Sequence, residues 1–120
     1  MLQRNRNKVF GSVGESCAVK LLTDHGYKII EKNFRSRFGE IDIVAMDGDT
    51  LVFVEVKARQ NTKFGLPEEA VTPAKIRHIK KTADYYSLTH PNLPKKLRID
   101  VVSLLFNGEA VERAKIIKVY

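Results

Sequence analysis

A chain of 120 residues with 43% apolar and 29% charged side chains has the length of one domain and the composition of a folded globular protein, which excludes disordered, fibrous and two-domain organisation. Lys and Arg number 21 against 14 Asp and Glu, giving +7 and a pI near 9.6, so the surface suits polyanions, and nucleic acid is the expected partner ahead of a membrane surface or a phosphorylated protein. No apolar run approaches the roughly 20 residues of a membrane-spanning helix and no signal-peptide core follows the first eight residues, so the expected location is cytoplasmic, away from any membrane.

Residues 1–10 carry Arg4, Arg6 and Lys8 among polar neighbours and read as a basic arm, ahead of a single domain over 11–120. From Ser12 to His25, Val13, Cys17, Ala18, Leu21 and Leu22 recur at helical spacing, with Gly26 placed as a left-handed C-terminal cap. Cys17 has no second thiol with which to form a disulfide or a zinc site, and reads as a small core residue. Residues 27–34 suit a strand, with Lys32, Arg35 and Arg37 crowding its far end. Residues 38–46 and 51–58 read as two strands joined through Asp47-Gly48-Asp49-Thr50, a strong hairpin signal.

The segment from Arg59 to Pro67 loses this pattern and reads as an exposed loop. A second helix is expected from Thr72-Pro73 to just before His90-Pro91, with Ile76, Ile79, Ala83 and Tyr86 as its apolar stripe. Residues 97–106 form a further strand, and Asn107-Gly108 turns into a last one ending at residues 116–120. The order α, three β, α, two β predicts an α/β domain, a mixed β-sheet flanked by helices, because the second helix provides a crossover that a hairpin cannot.

Within this frame Glu40, Asp42 and Glu55 stand in strands that otherwise read as buried. A carboxylate removed from water costs several kcal/mol unless something neutralises it, and a divalent cation can serve two at once. If the hairpin loop is Gly48-Asp49, opposing residues sum to 97, and Asp42 faces Glu55 while Glu40 faces Lys57. If it is Asp47-Gly48 the sum is 95 and Asp42 lies diagonal to Glu55. In both registers the two acids point to one side, and a directly opposed pair has Cβ atoms about 4.5–5.5 Å apart. Asp42 and Glu55 are therefore candidate ligands of Mg²⁺ or Mn²⁺, with Lys57 on the same face to orient water or offset charge on phosphorus.

Glu15 joins this set, since at 100° per residue it lies on the inward side of the first helix near Ala18 and Leu22. Each residue has a simpler reading beside the chemical one. Glu55 and Lys57 could belong to a half-solvated strand, Glu40 could be the solvated partner of Lys57, and Glu15 could be placed only by the helix dipole. Asp100 interrupts an apolar strand and could pair with Arg98 or support the site from behind. Arg35, Arg37, Arg59 and Lys75 are the phosphate-contact candidates, with Lys63, Arg77, Lys80 and Lys81 as further ones. Lys75 leads because helix N-termini favour phosphate. The three histidines show no metal-ligand spacing.

The motifs Gly-x-x-Gly-Glu (Gly11 to Glu15), Gly-Glu-Ile-Asp (Gly39 to Asp42), Val-Glu-Val-Lys (Val54 to Lys57) and Glu-Ala-Val-x-Pro-x-Lys (Glu69 to Lys75) occur in this order. Through them the chain resembles the YraN-like family, small bacterial proteins placed in the PD-(D/E)XK nuclease superfamily and similar to archaeal Holliday-junction resolvases. The resemblance covers almost the whole chain, with Ile41 standing where the superfamily name has Pro. It implies a restriction-endonuclease-like αβββαβ core and a Mg²⁺ or Mn²⁺ site. It also implies an endonuclease acting on DNA, branched DNA included, with RNA as the alternative polymer and a homodimer as the assembly. The family's acids and lysine fall on Glu15, Asp42, Glu55 and Lys57. A non-catalytic nucleic-acid-binding protein of the same fold is the competing expectation.

Overall fold

The computed structural model describes residues 2–119, with side chains from Gly11 onward, so the basic arm expected over residues 1–10 lies outside the described side chains. Helix α1 (Leu2–Asp24) leads into β1 (Lys28–Ser36), β2 (Gly39–Asp47) and β3 (Thr50–Arg59). A single 3-10 turn (Pro67–Ala70), helix α2 (Pro73–Thr89), β4 (Leu97–Asn107) and β5 (Ala110–Lys118) follow. The five strands form one sheet in the order β1-β2-β3-β4-β5, antiparallel throughout except for the parallel pair β3 and β4 that α2 connects. This is the mixed sheet with flanking helices expected from the element order.

Each face of the sheet has its own apolar core. Ala18 and Leu22 of α1 pack with Ile43, Ala45, Val52, Val54, Val102 and Leu104 on one face. Ile79, Ala83 and Tyr86 of α2 pack with Ile41, Val44, Leu51, Phe53 and Ile99 on the other. The stripe expected on α2 is thus the buried one, with Ile76 half-buried beside it. On α1, Ala18 and Leu22 are buried and Cys17 and Leu21 partly so, whereas Val13, expected on the same stripe, is exposed. Thr72 caps α2 by accepting the Lys75 N–H at 3.2 Å, and Pro73 occupies the first helical position, where its missing N–H costs nothing.

Asp47 pairs with Thr50, so the hairpin loop is Gly48-Asp49 and the opposing residues sum to 97, the first of the two registers considered. Gly48 has φ +62°, as a two-residue turn of this hand requires. No described helix is long and apolar enough to cross a membrane.

Candidate functional site

The ladder between β2 and β3 runs from Asp47↔Thr50 to Ile43↔Val54 and stops there. Beyond it β2 rotates. Ile43 packs on the α1 side and Ile41 on the α2 side, although residues two apart in a regular strand share a face. Between them, Asp42 reaches across the opening, and its Oδ2 accepts the Val56 N–H at 2.7 Å, a donor that a backbone carbonyl of β2 would otherwise satisfy. The neighbouring strand bends at the same level. Asn33 falls opposite Asp42, between the pairs Lys32↔Ile43 and Phe34↔Ile41, and it is the only described non-glycine residue with positive φ, at +56°.

Glu55 is the next residue of β3 past the end of the ladder, and it is buried to 6% exposure. Its carboxyl group lies close enough to that of Asp42 for each to alter the other's proton affinity. Two lysines approach it as well. Lys57 Nζ stands 3.7 Å from Glu55 Oε1, and Lys75 Nζ, from the first turn of α2, stands 3.9 Å from Oε2.

The proton affinities of the two acids show which influence dominates. Burial raises Asp42 above the ordinary carboxylate range, against the Val56 N–H and the nearby lysines, which lower it. Burial also raises Glu55, and the charge of Asp42 adds to this, so that it reaches about 7 in spite of Lys75 and Lys57. The lysines therefore leave the pair short of positive charge. Two hard oxygen donors in that condition fit a small divalent cation such as Mg²⁺ or Mn²⁺.

A cleft of about 420 Å³ opens beside this pair, lined by Gly11, Gly14 and Glu15 from α1, Asp42 from β2, and Val56, Lys57 and Ala58 from β3. Glu15 thus shares a cavity with Asp42 and Lys57. Its Oε1 accepts a hydrogen bond from Asn33 Nδ2 at 3.1 Å. Among the described residues, no three His, Cys, Asp or Glu side chains stand together as a ready-made cation cage. Asp42, Glu55, Lys57 and Lys75 form one cluster, with Glu15 across the cleft from it.

The other candidates are placed differently. Glu40 is exposed and paired with Arg35 at 3.4 Å across β1 and β2, not with Lys57, because the ladder that would have opposed it to Lys57 has already parted. The Arg37 guanidinium lies over the Phe38 ring at 4.9 Å. Arg59 donates from Nη1 to the Phe64 carbonyl at 3.1 Å. Asp100 is completely buried on the α1 face, where Arg98 and the Tyr27 hydroxyl bond it at 2.8 and 2.6 Å, so it takes the first of its two readings, as partner of Arg98.

Asn33, Ser103, Glu68 and Lys115 escaped the sequence reading. Asn33 had a usable signal, a β-averse side chain tolerant of positive φ inside an otherwise β-rich run. Ser103, level with Lys57 in the register of β4, donates to Glu68 Oε1 at 2.6 Å, and Lys115 meets the other Glu68 oxygen at 3.3 Å. The serine bond holds Glu68 below the ordinary carboxylate range. Nothing in local spacing pairs a residue of the 3-10 turn with β4 and β5.

Comparison with known proteins matches residues 14–104 to the model of Uncharacterised protein family UPF0102, the YraN-like family of the motif resemblance. A UPF0102 protein of Geobacter metallireducens is 52% identical over 103 residues, covering 86% of this chain and 84% of that one. One from Caldicellulosiruptor bescii is 50% identical over 103 residues, covering 85% and 87%. One from Syntrophomonas wolfei is 48% identical over 99 residues, covering 82% and 86%.

Proposed function

We propose that this chain, which belongs to the uncharacterised protein family UPF0102, is a metal-dependent endonuclease of the PD-(D/E)XK type that hydrolyses phosphodiester bonds in DNA. The observation that carries this reading is the meeting of Asp42 and Glu55, from separate strands, beside Lys57 and a cleft. Asp42 and Glu55 are the residues that would hold Mg²⁺ or Mn²⁺, with Glu15 as the third acid on the same cleft. A cation bound there would supply Lewis-acid charge and promote ionisation of water.

The chain's own groups do the rest. Glu55 keeps Lys57 at 3.7 Å, so its ammonium faces the cleft and can orient water or offset charge growing on phosphorus. Lys75 brings a second positive charge from the first turn of α2, suited to a phosphate oxygen next to the scissile bond. The Val56 N–H fixes one oxygen of Asp42 and so orients its carboxylate toward Glu55. Asn33 fixes the rotamer of Glu15. Arg35, Arg37 and Arg59 extend the positive surface along the backbone being cut.

The test is incubation with Mg²⁺ or Mn²⁺ and a panel of linear, nicked, flapped and four-way DNA, with single-stranded RNA as the alternative polymer. Cleavage by the wild type should be lost in Glu55→Gln, Asp42→Asn and Lys57→Ala. Equal cleavage by wild type and Glu55→Gln would remove this cluster as the source. A second reading, a nucleic-acid-binding protein without hydrolysis, draws on the two lysines that already flank Glu55. It requires salt-sensitive binding with no cutting by any metal.

A further inference from the structure

Phe64 exposes 79% of its surface, yet the loop that carries it is held in a defined shape. Asn61 Oδ1 accepts the Lys63 N–H at 3.0 Å, the Thr62 carbonyl accepts the Gly65 N–H at 3.0 Å, and Arg59 Nη1 donates to the Phe64 carbonyl at 3.1 Å. Gly65 takes φ +101°, a conformation that side chains rarely adopt, and so turns the chain immediately after the ring. A loop pinned on both sides of its aromatic residue presents that residue rather than dropping it into a core.

Two cations flank the ring. Lys63 Nζ stands 5.7 Å from its centroid and Arg59 holds its carbonyl. Of the two acids that follow, Glu69 accepts the Leu66 N–H at 2.7 Å behind the turn at Gly65, and Glu68 is held away by Ser103 and Lys115. Arg59 is also two residues beyond Lys57 on the same side of β3, about 6.8 Å further along. The loop therefore begins at the end of the candidate site. Leu88 is equally exposed, at 80%, but it lies on the outer side of α2 without such a setting.

An apolar flat ring between two cations is what a nucleobase and its flanking phosphates recognise: the base stacks, and the cations meet the backbone. In a continuous duplex both faces of every base are covered, so a protruding ring finds a base only where stacking or pairing is interrupted. We propose that Phe64 is the stacking platform for an unpaired nucleobase, with Arg59 and Lys63 contacting the adjoining phosphates. The substrate class is then nucleic acid with unpaired bases beside the bond to be cut. This rests on reading the cleft as a nucleic-acid site.

The chain contains no Trp, so Phe64→Trp installs a single fluorescent reporter. Binding is followed by anisotropy of labelled DNA in EDTA, where cutting cannot interfere, using a paired duplex, a single strand and a duplex with an unpaired stretch. Trp emission should be quenched by the two DNAs with unpaired bases and little changed by the duplex. Phe64→Ala should bind those two about five- to a hundredfold more weakly, with its duplex affinity nearly unchanged, and Phe64→Tyr should restore them. Wild-type binding with an indifferent Trp, or an equal loss on all three DNAs, overturns this inference and leaves the proposed function standing. Absence of binding to any of them, and to single-stranded RNA, overturns both. A Phe64→Ala change in sedimentation that replaces the binding effect would make the ring a self-association contact and overturn it too.

Discussion

Asn33 is held in a left-handed conformation that costs an L-residue about 1–2 kcal/mol, and it spends that strain on a hydrogen bond to Glu15. Glycine relieves the backbone and removes the bond, whereas alanine removes the bond and keeps the strain. Asn33→Gly should therefore retain the thermal stability of the wild type while weakening Mn²⁺ binding by calorimetry, and Asn33→Ala should lose both. Equal Mn²⁺ affinity in Asn33→Gly and wild type would leave Asn33 a purely structural kink. Glu55 carries a second prediction. Its folded value of about 7 lies above the ordinary 4.5, so between these limits the folded state keeps a proton that the unfolded chain gives up. The stability this confers is complete below pH 4.5 and is lost as pH rises through 7. Urea unfolding without metal should show that decline, and Glu55→Gln should flatten it. Mn²⁺ affinity should rise over the same interval, because the cation displaces the proton.

At the opposite end of the sheet from the carboxylates, a polar network ties the elements together. Arg98 of β4 bonds Asp100 at 2.8 Å, Asp47 of the β2–β3 hairpin at 2.7 Å and the Tyr27 hydroxyl at 3.0 Å. Tyr27 in turn donates to Asp100 at 2.6 Å. Burial and its hydrogen bond to Asp100 push the Tyr27 hydroxyl well above its usual range, so it stays a donor at any ordinary pH. Removing one partner from a fully buried charge costs about 3–5 kcal/mol, far more than breaking an exposed pair such as Lys20–Asp24. Arg98→Ala should lower the unfolding free energy by about that amount, while Lys20→Ala changes it by less than about 1 kcal/mol. Denaturant titration decides this. Since Asp100 lies on the α1 face and Glu55 on the other, the Mn²⁺ affinity of folded Arg98→Ala should match that of the wild type. A loss there would mean that the network reaches the site.

For the molecule as a whole, antiparallel pairing of β1, β2 and β3 and parallel pairing of β3 with β4 bring particular strand ends together. The end of β1 and the start of β2 carry Arg35 and Arg37, and the end of β3 carries Lys57 at the cleft and Arg59 beyond it. With a net charge of +7, affinity for nucleic acid should fall steeply with salt, by a slope of about 0.9 per phosphate neutralised on a duplex. Arg35→Gln with Arg37→Gln should weaken binding across sequences and reduce that slope by about one to two. An unchanged slope would place the phosphate track elsewhere.

Much of this was legible before any coordinates. Alternation within a strand and the Asp47-Gly48 turn signal anticipated the meeting of Asp42 and Glu55, although the regular ladder they assume stops at Ile43 and Val54, and helical spacing anticipated Glu15 on the side of α1 that lines the cleft. Thr72-Pro73 marked the start of α2, and Gly65 and Pro67 marked a break before it. These are local matters, decided by backbone sterics and a fixed period over a few residues. Periodicity, however, carries no information about distances between elements far apart in the chain. Only the packed structure could select the register that sums to 97 and show β2 leaving β3 at Asp42. Only there does Lys75 arrive at Glu55 from the first turn of the crossover helix, while Glu40 goes to Arg35 and Glu15 to Asn33. Those choices belong to sheet twist and helix docking, which follow from burying two apolar faces at once and are written in no single segment.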